Sequence, residues 1–214
     1  MLLKSGINFE KNTNMKIIIV GATGTIGKRV SDALEAGNKH EIIKVGNKSG
    51  DFRVDIGDKE SITNLFRQTG NFDALINVTG NAYLGKLETL TSADFQVGLQ
   101  HKLMGQIHLV LEGLKLVNPG GSFTLTSGIL AEDPILNGTA CSVTDAAVNG
   151  FVLSAAAELK NDVRLNVVAP GVVADSENLH DFFPGHIPVA MERVTAAYLK
   201  SLFGVQSGTI LRVY

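Results

Sequence analysis

The chain's 214 residues carry 19 Lys and Arg against 21 Asp and Glu, a formal net charge of −2 with a pI near 6.2, so no field gathers nucleic acid or an anionic membrane, and both partners are disfavoured. Apolar residues make up 44% and aromatic ones only 6%, which demands a core of Val, Ile, Leu and Ala, the kind of interior found in parallel sheets covered by helices. The single cysteine, Cys141, excludes an internal disulfide framework and fits a reducing, cytoplasmic compartment, and no apolar run approaches the roughly 20 residues needed to cross a bilayer.

Residues 1–14 are polar and aperiodic and lack the apolar centre of a secretion signal; they are expected to form a loose tail, with Met15 an alternative start. Residues 17–20, all Ile or Val, read as a strand that runs into Gly21-Ala22-Thr23-Gly24-Thr25-Ile26-Gly27. The first glycine permits a tight turn, the second lets backbone N–H groups approach a pyrophosphate, and the third lets the next helix pack on the strand. Ile26, Val30 and Leu34 then repeat at helical spacing, so a helix N-terminus and its unpaired N–H groups face an anion at this turn. A plain strand-to-helix turn is the competing reading; the flanking strand and helix favour dinucleotide binding over it.

Further along, residues 41–45 read as a second strand and 51–56 as a short third. Asp58 can cap a helix with Ile62, Leu65 and Phe66 on one face, and 74–78 follow as a fourth strand. Thr91 or Ser92 opens a long helix to about residue 117, ended by the Pro119-Gly120-Gly121 turn before a fifth strand at 122–126. A helix at 140–159 with Val148, Val152 and Leu159 inward, a strand at 163–168, a helix at 188–203 and a strand at 209–213 complete the pattern. Strands alternating with helices build right-handed βαβ units. The expected fold is α/β: one Rossmann domain over residues 15–214, a doubly wound parallel sheet of about seven strands with helices on both faces. Ligands of such sheets sit beyond the carboxyl ends of the strands. Candidate site segments are therefore 21–27, 46–49, 55–56, 77–80, 126–128 and 170–175.

Taken together, these strand ends resemble the short-chain dehydrogenase/reductase family over residues 15–214. Asn77-Val78-Thr79-Gly80 is similar to the family's Asn-Asn-Ala-Gly turn, and Asp55-Ile56 to its Asp-hydrophobic pair that holds the adenine. Residues 166–173, NVVAPGVV, are similar to its Asn-x-Val-x-Pro-Gly segment beside the nicotinamide, and so add Pro170, Gly171 and Val173 to the implied cofactor-binding residues. The spacing G-x-x-G-x-x-G is that of extended members, whereas the length suits compact ones. That leaves residues 176–188, with paired phenylalanines, prolines and a glycine, as either a mobile apolar lid or a simple surface crossover.

The resemblance breaks at the active site. Ser127 stands at the family's substrate-orienting serine, but the Tyr-x-x-x-Lys that should follow is replaced by Cys141 and Asp145, and Tyr83, Tyr198 and Tyr214 are the only tyrosines. Where the family's lysine would lower the donor's pKa, Asp145 reverses the field: unit charges about 6 Å apart interact by roughly 2–3 kcal/mol at an effective dielectric near 20. Cys141 is then expected to stay a thiol, either a proton donor or a small packing residue. Lys102 falls where the family usually has an asparagine; it is either a solvated lysine or a replacement cation able to pair with Asp145. The candidate catalytic residues are Ser127, Cys141 and Lys102. His101, His108, His180 and His186 show no metal-ligand spacing.

At the end of the second strand no carboxylate awaits the adenosine ribose; Asn47, Lys48 and Ser49 offer charge and hydrogen bonds to a 2′-phosphate instead, which favours NADP with NAD as the alternative. Asp175 is unexpected beside a pyrophosphate, which it would repel. The function implied is an NADP-dependent oxidoreductase acting on a small carbonyl or alcohol; the alternatives are a cofactor-binding or sensing protein without catalysis and, more remotely, an extended-type epimerase. The family resemblance also implies a homo-oligomer, with the helices that begin near Ser92 and Ala140 as the shared surfaces.

Overall fold

The structure, a computed structural model, describes residues 14–214; the tail expected over residues 1–14 lies outside the described residues apart from Asn14. Its elements in chain order are β1 (Lys16–Val20), α1 (Thr25–Glu35), β2 (Glu41–Gly46), β3 (Phe52–Arg53), α2 (Lys59–Thr69), β4 (Phe72–Asn77), α3 (Ser92–Gly98), a π-helical turn (Leu99–Met104), α4 (Gly105–Gly113), β5 (Val117–Thr126), α5 (Thr139–Ala155), β6 (Arg164–Pro170), α6 (Glu177–His180), α7 (Met191–Phe203) and β7 (Ile210–Val213). The strands form one seven-stranded parallel sheet in the order β3-β2-β1-β4-β5-β6-β7. The order reverses between β1 and β4, which opens a crevice at their carboxyl ends.

The side-chain period of two explains why β1 is apolar at every residue after Lys16. Ile18 and Val20 join the core under α2, α4 and α5 with Leu65, Leu109 and Val148, while Ile17 and Ile19 pack beneath α1 and α7 with Val30, Val194 and Tyr198. Asp58 caps α2 as expected, its carboxylate accepting from the Glu60 N–H at 2.9 Å. Among the described residues no helix is long and apolar enough to cross a membrane.

Strand β3 covers only Phe52–Arg53 of the expected 51–56, β4 and β6 shift by one or two residues at their ends, and four further boundaries differ from the expectation. The helix expected to run unbroken to 117 is interrupted by the π-helical turn and ends at Gly113, where a Cβ would meet the Phe123 ring at 2.7 Å. Strand β5 then starts at Val117, paired with Phe72, and absorbs the Pro119-Gly120-Gly121 turn as a bulge before Ser122 pairs with Ala74. Helix α5 stops at Ala155 because the chain reverses through Asn161 and Asp162, both at φ 57°. Pro188 and Val189 precede α7 instead of opening it, since Val189 bridges Val173 and donates its N–H to Val172 O at 2.8 Å.

Candidate functional site

The glycine turn has the tightness its sequence required. Gly21 has φ +88°, and its N–H donates to Val45 O at 2.7 Å; a Cβ on Gly27 would lie 2.0 Å from Gly21 O. Gly24 is different: its φ is −78° and a Cβ there would meet only Gly21 O, at 3.4 Å. Its freedom is needed on the open side, where the first turn of α1 carries no side-chain cap and no acidic residue, so its orphan N–H donors face the crevice. This uncapped turn, with room for a backbone-hugging anion, fits a dinucleotide pyrophosphate.

Beside the turn, a pocket is lined by Gly21, Asn47, Asp55, Ile56, Thr79 and Gly80 of the expected cofactor residues, with Val20, Gly46, Val54, Asn81 and His101 in addition. Thr23, Gly24 and Thr25 line the adjoining groove with Lys28, Arg29 and Asp175. Val78 packs its side chain beneath Gly21 and Gly27, and Ile26 packs against the apolar layer under α1. Ser49 is tied to the turn through Thr23, hydroxyl to hydroxyl at 2.7 Å, and Lys48 is exposed with its carbonyl held by the Arg53 guanidinium. Pro170, Gly171 and Val173 line neither space; they frame the loop after β6 that carries Asp175.

Two contacts escaped sequence reasoning. Arg29 donates from Nη2 at 2.8 Å and from Nε at 3.2 Å to Asp175 Oδ2, bridging the two lips of the crevice and neutralising the carboxylate that looked hostile to a phosphate. His101 lies 3.8 Å from Asp55 over Gly57, where a Cβ would strike its ring at 2.3 Å. Neither pair has a spacing signal, because Arg29 and Asp175 are 146 residues apart.

At the other end of the crevice, β5 outruns β4, so the Thr126 backbone lacks a strand partner on that side. The buried Gln106 amide of α4 replaces it, accepting the Thr126 N–H at 2.9 Å and donating to its carbonyl at 2.8 Å. The next residue, Ser127, is 4% exposed; its N–H donates to Val168 O, and its hydroxyl has no hydrogen-bond partner. Across from it the π-helical turn delivers Lys102, whose Nζ lies 2.5 Å from Oδ1 of the buried Asp145 on α5. The lysine stem crosses Gly80, where a Cβ would sit 2.8 Å from Lys102 Cγ.

Cys141, one turn before Asp145, donates its thiol proton to the Tyr83 carbonyl at 3.3 Å. Burial pushes this thiol up, with Lys102 opposing the shift and Asp145 adding to it. The sulfur packs with Ile129 and Leu130, and Phe183 of the expected lid closes over the same cluster. No tyrosine takes the vacant role: Tyr198 is fully buried and bonded to Thr126 Oγ1 at 2.7 Å, and Tyr214 donates to Glu132. Tyr83 is 43% exposed, its ring against Gly85. Among the described residues no group of three or more His, Cys, Asp or Glu is arranged to hold a metal ion.

These features can be set beside known proteins. A family model described as enoyl-(acyl carrier protein) reductase matches residues 22–189. Among curated proteins the chain is similar to the enoyl-(acyl-carrier-protein) reductase (NADH) FabI of Rickettsia bellii, 30% identical over 129 residues that cover 56% of this chain and 49% of that protein. It is also similar to the 2,3-dihydro-2,3-dihydroxybenzoate dehydrogenase of Escherichia coli, 28% identical over 50% of this chain and 44% of that one. The matches thus span about half the length of these curated relatives. Among solved structures, the protein lin1944 of Listeria innocua is 43% identical with a TM-score of 0.90, covering 94% of this chain and all of that one. A small-chain dehydrogenase solved in complex with NADPH shares the fold at 24% identity and TM-score 0.83, over 94% of this chain and 96% of that one. With a parallel sheet of this order, a glycine turn at its switch point and a family model matched over most of its length, the chain belongs to the short-chain dehydrogenase/reductase family.

Proposed function

We propose that the protein is a nicotinamide-dependent oxidoreductase that binds NADP(H) in the crevice and interconverts a small carbonyl compound and its alcohol. The observation that carries this reading is the uncapped glycine turn at one end of a crevice whose other end holds Ser127, buried with an unpartnered hydroxyl. A nicotinamide supplies hydride when bound, so the chain's part is to orient the substrate and move a proton. Ser127 orients the substrate oxygen, and Cys141 and Lys102 are the two candidate groups that carry a transferable proton.

The end of β2 supports NADP over NAD. Lys48 and Arg53 stand there, and the nearest carboxylate, Asp51, is committed to the Lys44 N–H at 2.8 Å. Residues 176–188 act as the lid, with Phe183 on the Cys141 cluster and Phe182 and Ile187 exposed. Leu111 on α4 and Val143 and Leu153 on α5, all exposed, supply an apolar surface for a homo-oligomer. A reducing, cytoplasmic setting suits the free thiol.

The experiment is NADPH oxidation against a panel of aldehydes and ketones. Turnover that Ser127→Ala slows at least about tenfold supports the reading. Tight NADPH binding with no turnover across the panel favours the second reading, a cofactor-binding protein without catalysis, which Cys141 and Asp145 in place of the family's tyrosine and lysine support.

A further inference from the structure

We infer that Lys102 is the proton donor of the site and that Asp145 is the residue that positions it, an inference that rests on the proposed carbonyl reduction. The ion pair is shielded, its side chains 15% and 3% exposed, and a pair so enclosed stands or falls as a unit because either charge alone would be left uncompensated. Three close approaches fix where the ammonium sits. Gly98 lets α3 press on α5 at Thr144 Oγ1, where a Cβ would come within 2.5 Å; Gly105 lets α4 press on Ile56 O at 2.7 Å; and Gly80 leaves space for the Lys102 stem. The π-helical turn between Gly98 and Gly105 inserts an extra residue, the Gly105 N–H reaching back five positions to Gln100 O. His101 consequently faces Asp55 while Lys102 faces Asp145.

The carboxylate also ties the pair to the substrate end of the crevice. Its second oxygen, Oδ2, lies 2.7 Å from where a Cβ on Gly128 would stand, directly after Ser127. Lys102 meets Asp145 as an ion pair and makes no side-chain hydrogen bond among the described residues, so its N–H groups stay available, and the Ser127 hydroxyl, one residue before Gly128, also has no partner. The rival donor is committed elsewhere, since the Cys141 proton points at the Tyr83 carbonyl.

In the forward direction a nicotinamide held at the glycine turn would supply hydride for the new C–H bond, and the carbonyl electron pair would move onto oxygen. The Lys102 Nζ–H bond breaks as the O–H bond forms, and the amine recovers a proton from water at its exposed edge. Asp145 gives up nothing; it keeps Nζ aimed.

The test uses NADPH and a carbonyl compound that the wild type reduces, with kcat, KM and NADPH affinity measured separately. General-acid catalysis contributes about 10²–10⁴-fold, so Lys102→Met is expected to lower kcat at least about 100-fold while NADPH affinity stays within about threefold. Asp145→Asn is expected to lower kcat about tenfold or more with the carbonyl KM nearly unchanged, and Asp145→Glu to restore most of it. If Asp145→Asn fails to fold, the exchange Lys102→Asp with Asp145→Lys is read instead, and it should exceed the Lys102→Asp single variant in kcat. Unchanged kcat in Lys102→Met overturns the inference and leaves the proposed function standing. Loss in Lys102→Met without loss in Asp145→Asn overturns the positioning role. A wild type that reduces no carbonyl in the panel overturns both.

Discussion

Gly24 and Gly27 are three residues apart, yet they are glycines for different reasons, and substitution separates the reasons. A methyl on Gly27 meets the Gly21 carbonyl at 2.0 Å, so the turn itself must shift; a methyl on Gly24, at φ −78°, meets nothing closer than 3.4 Å. Gly27→Ala is expected to cost about 1–3 kcal/mol and lower Tm by roughly 2–4 °C per kcal/mol. Gly24→Ala is expected to leave Tm within about 2 °C and weaken dinucleotide binding at least about tenfold, because its methyl occupies the space the phosphate needs. Thermal melts and calorimetry on the two variants check this; equal effects on stability would contradict it. Residues of this kind were legible in the sequence because their chemistry is local. Arg29 and Asp175 were not, since only the folded sheet brings them together.

At the scale of elements, the parts that sequence periodicity misread are the parts that build the site. The opening at Thr91 or Ser92 and the Pro119-Gly120-Gly121 turn predict one continuous helix to about residue 117. The π-helical turn breaks that phase, and it turns Lys102 toward Asp145. Gln106, one residue beyond Gly105, carries no signal in the sequence that marks it as more than a polar helix position. It is instead the buried clamp on the end of β5, so Gln106→Leu, which leaves the Thr126 N–H and carbonyl unpaired, should cost about 2–5 kcal/mol by chemical denaturation. A cost under about 1 kcal/mol would show that water or another group takes over.

A second clamp joins the last strand to the turn after β5, where Glu132 accepts two bonds from the Arg212 Nε at 2.8 and 2.9 Å, one from its Nη2 at 2.5 Å and a fourth from Tyr214 Oη at 2.7 Å. The Arg212 guanidinium, with Tyr214, holds the Glu132 carboxyl down at about 2. A carboxyl lowered on folding stabilises the native state above its unfolded pKa, near 4.3, and that contribution is lost as pH falls through about 2. Melts from pH 6 to pH 2 should therefore fall more steeply for the wild type than for Glu132→Gln; parallel curves would contradict the clamp.

For the molecule as a whole, the alternation of strands and helices made the doubly wound sheet readable, since each crossover has only one favoured hand and residues 17–20 of β1 must be apolar to face one core or the other. The sheet order then places the glycine turn, the β2 end and Ser127 along the carboxyl edge of one sheet, the first two lining one pocket. What the sequence left open was charge. Asp145 and Asp175, the two acids that argue against the family's chemistry, each meet a cation from another element; the Lys102–Asp145 pair is one the sequence offers as an alternative, and the Arg29–Asp175 pair is one it does not. The measurement that tests the central claim most directly is calorimetric titration of the protein with NADPH, NADP, NADH and NAD. Saturable binding with the phosphorylated forms at least about tenfold tighter, a difference of about 1.4 kcal/mol, is the predicted result; no binding of any of the four would contradict it.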